Sequence, residues 1–156
     1  MAAFGSNQEL VDLLWRTPFI LNALTGELDD QRAHGRDPEG WSIVEIVGHL
    51  IDAERRAIER IAIIQREVDP VLAGYDQMAM VERQAYQQRS IGELLTEFEG
   101  VRSRRIAAQE ALDDLLWTSG AFLESGEPTT LRDITIQMCA HDMDLLVQIA
   151  GIRKGE

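Results

Sequence analysis

Residues 42–66 read SIVEIVGHLIDAERRAIERIAIIQR, and the spacing of this stretch decides the fold. Ile43, Ile46, Val47, Leu50, Ala57, Ile61 and Ile64 recur at helical intervals, so a helix of about 3.6 residues per turn gathers them on one stripe. A strand would scatter them over two faces. Ser42, three residues before Glu45, forms a capping-box signature: the hydroxyl accepts from an orphan N–H, and the carboxylate reaches back to the cap's own N–H. The same signature recurs at Ser6/Glu9, Ser90/Glu93 and Thr130/Asp133, the last with a shorter acid. Each precedes an apolar-periodic run, so the spacing predicts four helices, over residues 6–24, 42–66, 90–116 and 130–150.

Gly26 and Gly151 read as stops for the first and last helices. Leu94, Leu95, Phe98, Val101, Ile106 and Leu112 form the inward stripe of the third, and Leu131, Ile134, Met138, Leu145 and Ile149 that of the fourth. Pro38, Pro70 and Pro128 fall in connections, while Pro18 lies inside the first helix and is expected to kink it. The connection over residues 67–89 is long, and Met78, Met80, Val81 and Tyr86 hint at a short helix within it. The expectation is an all-α fold: one domain spanning residues 1–156, a four-helix bundle with a long crossover between the second and third helices.

Composition narrows the function. The 156 residues carry 15 basic and 27 acidic side chains, a net charge of −12, which opposes binding to a polyanion or an anionic membrane. The Arg102, Arg104 and Arg105 cluster is small and flanked by acids, so no nucleic-acid face is expected. A single cysteine, Cys139, permits no internal disulfide and fits a reducing, cytoplasmic setting. Neither a leader pattern nor a membrane-length apolar run is apparent. Phosphate loops, CxxC pairs, HExxH and GxSxG are all missing from the sequence. Cys139 and His141 diverge around their helix, so Cys139 reads as a core thiol.

The three histidines carry more. His34 sits in a polar stretch and reads as a solvated loop residue. His49 and His141 each lie at the polar margin of a long helix, beside Glu45 and Asp52 in one case and Asp144 in the other. Where those margins face each other, the bundle encloses imidazole, carboxylate and amide groups, the arrangement from which bundles build metal sites. The alternative is two border histidines bonded to carboxylates, for example His49 with Asp52. Glu45 doubles as a cap, Asp52 as an ion-pair partner for Arg55 or Arg56, and Trp15, Trp41 and Trp117 as core or staple residues.

The segment from Trp41 to Glu54, WSIVEIVGHLIDAE, resembles the second-helix signature of the DinB-like superfamily, which includes the YfiT-like metal-dependent hydrolases. The run from His141 to Ile149, HDMDLLVQI, is similar to that family's closing motif. The resemblance covers essentially the whole chain. It implies a four-helix bundle, commonly dimeric, that binds nickel, zinc or iron through three histidines. His49 matches the second-helix ligand and His141 the first ligand of the last helix; the third position holds Leu145, which cannot bind a metal. Asp144 is the first stand-in, with Glu45 or Asp52 reaching from the second helix. On this resemblance Glu45 or Asp52 serves as general base, and the substrate is a small molecule, in some relatives a low-molecular-weight thiol. The competing reading is a non-catalytic bundle with a degenerate site, acting as a small-ligand binder or dimeric interaction module.

Overall fold

The computed structural model describes residues 5–36 and 40–154. Four long helices dominate it: α1 (Asn7–Thr25), α3 (Ile43–Arg66), α5 (Ile91–Glu110) and α7 (Leu131–Lys154). Each begins where its cap predicts. Ser6, Ser42 and Ser90 accept from the backbone N–H groups of Glu9, Glu45 and Glu93 at 3.2 Å, and Thr130 from that of Asp133 at 3.1 Å. The contacting pairs are α3 with α5, α1 with α7, α1 with α5, and α3 with α7. Around the bundle the order is therefore α1, α5, α3, α7, which makes α3 and α7, the two long helices that bear a histidine, neighbours.

The shorter elements revise the expected outline. Asp30–His34 is a helical turn, α2, capped by Asp29, where a loop was expected. The long crossover holds α4 (Gln77–Gln84) and a 3-10 turn, Tyr86–Gln88. The third helix ends at Glu110 and a separate turn, α6 (Asp114–Trp117), follows, because the break turns Leu112 and Trp117 into the lower core. The last helix runs through Gly151 to Lys154: Ile152 still packs on the core, and Arg153 and Lys154 suit the negative end of the helix dipole. Three short strands, β1 (Val71–Leu72), β2 (Ala121–Leu123) and β3 (Pro128–Thr129), tie the two long connections together. β1 runs parallel to β2, with Val71 opposite Phe122, and β3 runs antiparallel to it.

The core divides in two. An upper cluster gathers Leu21, Val47, Leu50, Phe98, Leu145 and Ile149, and a lower one Leu10, Leu14, Ile61, Ile106, Leu131 and Ile134. Between them, by position along every helix, lies a charged layer. Arg102 and Arg105 on α5, Glu54 on α3 and Asp142 on α7 are all buried. In sequence these arginines form only a small cluster flanked by acids; in the fold only Arg104 of the three is exposed. Two cations facing two anions leave the layer neutral, which is what makes such burial tolerable.

Candidate metal centre

α3 and α7 present their histidines to each other across the bundle. The Nε2 atoms of His49 and His141 lie 3.3 Å apart, with the rings nearly perpendicular at 84° and their centroids 5.1 Å apart. That spacing is long for a hydrogen bond. It matches the about 3.3–3.4 Å that separates two nitrogens bound to one tetrahedral ion at about 2.0–2.1 Å each. The ring of Trp41 packs against that of His49, with centroids 5.1 Å apart and planes tilted by 49°. Burial, and then the charge of His141, lowers the pKa of His49 to about 4, so at neutral pH it keeps a free lone pair. Its Nδ1 is buried with no hydrogen-bond partner, so the orienting bond usual behind a metal-bound imidazole is missing.

The other expected donors go elsewhere. Asp144 is exposed to solvent, and among the described residues no three His, Cys, Asp or Glu side chains are placed to hold one ion. One helical turn beyond His141, Leu145 is buried in the upper apolar cluster. Glu45 completes the capping box, accepting from the Ser42 backbone N–H at 3.1 Å, and it also takes both arms of Arg36 at 3.0 and 3.2 Å. Asp52 forms an ion pair with neither arginine the sequence offered it, since Arg55 pairs with Glu97 and Arg56 with Glu59. The Tyr86 hydroxyl donates to its Oδ1 at 2.7 Å, and its Oδ2 is buried without a partner. Burial raises the Asp52 carboxyl above its usual value, against the opposing effects of Tyr86 and Arg55.

Tyr86 and Arg36 were not singled out from sequence as site residues. The signal for Tyr86 is Gly48, an unfavourable residue in mid-helix. A side chain there would collide with the Tyr86 ring, so Gly48 is what lets that ring lie flat on α3 and reach Asp52, one turn on. His34 is half-buried rather than solvated: its ring nitrogens meet the carbonyl oxygens of Asp30 at 2.5 Å and Arg89 at 2.7 Å. Cys139, expected in the core, is only half-buried against the lower cluster; burial, and then Asp142, pushes its thiol up to about 11, so no reactive role follows for it.

With this geometry in view, comparison with known proteins places the chain. The sequence pattern of the DinB superfamily matches residues 14–149. The chain belongs to the DinB superfamily. No curated protein matches it in sequence. Among solved structures it is similar to YfiT from Bacillus subtilis, described as a probable metal-dependent hydrolase with an unusual four-helix bundle topology. The two share 19% identity over 96% of this chain and 89% of that one, with a TM-score of 0.85. At that identity the likeness shows a common fold. In this DinB-superfamily bundle the facing walls of α3 and α7 supply two imidazoles. No helix among the described residues is long and apolar enough to cross a membrane.

Proposed function

We propose that this DinB-superfamily protein holds a divalent metal ion, nickel, zinc or iron, between His49 and His141 and uses it on a small-molecule substrate. The single observation that carries the reading is the 3.3 Å separation of the two Nε2 atoms, the bite one tetrahedral ion requires. When bound, such an ion polarises an electrophile and acidifies a coordinated water or thiol, the chemistry of metal-dependent hydrolysis and thiol transfer. With only two protein donors, the remaining coordination positions fall to solvent and substrate, and affinity is lower than at a three-ligand site. Asp52, not Glu45, is the proton acceptor in this reading, because it alone keeps a free carboxylate oxygen. Tyr86 holds that carboxylate in place.

Metal titration of the apo protein tests this directly. One equivalent of nickel or zinc is expected to bind the native chain and none the His49→Ala, His141→Ala variant; no binding by the native chain would remove the reading. The second reading, a metal-free small-ligand binder, is favoured by Leu145, which fills the family's third-ligand position with core packing. In that case a chelator leaves thermal stability untouched, whereas a native-state metal adds stability by mass action. A second copy of the chain is the proposed partner, seated on the neighbouring helices α1 and α7. Trp15, Phe19, Met143 and Val147 leave apolar surface in water there. Sedimentation as a monomer at every concentration would rule that out.

A further inference from the structure

The charged layer joins the two helices that carry the imidazoles, and its hub is one side chain. Arg102, fully buried on α5, meets Glu54 of α3 at 2.9 Å through Nε and 3.0 Å through Nη2. It meets Asp142 of α7 at 2.9 Å through Nη1 and 3.1 Å through Nη2. Its Nη1 also donates to the carbonyl of Leu14 on α1 at 2.7 Å. That carbonyl is free because the residue four positions on, Pro18, has no N–H to give it. One guanidinium thus fastens all four long helices. Thr17, on the same turn of α1, donates to Asp142 Oδ2 at 2.8 Å. Asp142 adjoins His141 in sequence, and Glu54 lies five residues beyond His49.

We infer that Arg102 is a positioning residue: by gripping Glu54 and Asp142 it sets the rotation and axial register of α3 against α7, so that His49 and His141 converge. Apolar packing alone leaves helices free to slide or rotate among near-equivalent arrangements, whereas a planar fork holding two carboxylates admits one. The grip on Asp142 matters most, since a residue bonded inward on a helix fixes its neighbour about 100° away around the axis. Arg105 is an internal contrast. It is equally buried and bonds Glu54 at 2.9 Å and Gln109 at 2.9 Å, but none of its hydrogen bonds reaches α7 directly. The purpose of the device rests on the metal-site reading; its geometry does not.

The test uses the full chain and two readouts: the nuclear Overhauser effect between the His49 and His141 rings, which needs no metal, and the dissociation constant for Co²⁺. The key variant combines Arg102→Met and Asp142→Asn, which removes one cation together with one anion and leaves Glu54 paired with Arg105. It is expected to keep helical circular dichroism and cooperative unfolding, to lose the ring-to-ring signal, and to bind Co²⁺ at least tenfold more weakly. Arg105→Met is expected to keep both signals at native level. If this double variant does not fold, Asp142→Asn alone decides, with a weakened ring-to-ring signal and about threefold weaker Co²⁺ binding expected. Native signals in the Arg102→Met, Asp142→Asn variant, or in Asp142→Asn should that variant be the one to decide, would overturn the inference, as would equal losses in Arg105→Met. Should the native chain bind no Co²⁺, the metal reading fails and the ring-to-ring signal still decides the positioning role.

Discussion

His49 is only 2% exposed, and its depressed pKa carries a stability consequence whose sign is definite. Between its ordinary 6.5 and about 4, the unfolded chain takes up a proton at this position that the folded chain refuses. Stability therefore falls as pH drops through that window, by on the order of 3 kcal/mol for this group alone. Urea unfolding at pH 7, 6, 5 and 4 should give a shallower decline for His49→Gln than for the native chain; parallel declines would exclude the effect. Asp52 has the opposite sign. Its raised pKa favours the folded state in acid and the benefit is lost as pH rises, so Asp52→Asn should stabilise above neutrality, with the gain shrinking toward pH 4. At Gly48, substitution by Ala should cost about 1–3 kcal/mol by displacing the Tyr86 ring, measured by the same unfolding series. The candidate residues His49 and Asp52 were legible because histidine is rare in the chain and their helix is strongly periodic. Their partners were not: Tyr86 lies 34 positions from Asp52, and no local pattern links them.

At the scale of elements, the caps were the most readable feature, since a Ser or Thr and an acid three residues on act within one turn. Ser42→Ala should destabilise by about 1–2 kcal/mol, because the Ser42 hydroxyl both caps α3 and bonds Gln87 at 2.5 Å. Thermal melts would show it, and an unchanged melting temperature would count against the cap. Ala85, between α4 and the 3-10 turn, holds φ at 50°, a left-handed value that favours glycine. Ala85→Gly should stabilise by up to about 1 kcal/mol, and a loss of stability there would contradict the strain. The short helices and the three-strand sheet were not legible. β1 and β2 pair across about fifty residues of chain, and two- or three-residue strands carry too little alternation to be read.

For the whole molecule, four helices with inward stripes were enough to predict a bundle, and the family pattern agrees with that. What the pattern could not place was the charged middle layer. Arg102 and Arg105 lie on the inward face of α5 among acids, and only partners 40 to 88 positions away show that they are buried. The same long-range arrangement brings His49 and His141, 92 residues apart, to one point. X-ray absorption at the nickel edge, on protein loaded at neutral pH, tests that convergence most directly. Two imidazole nitrogens per nickel are predicted, with no nickel retained by the His49→Ala, His141→Ala variant. A nickel shell without imidazole, or one unchanged in that variant, would contradict the account.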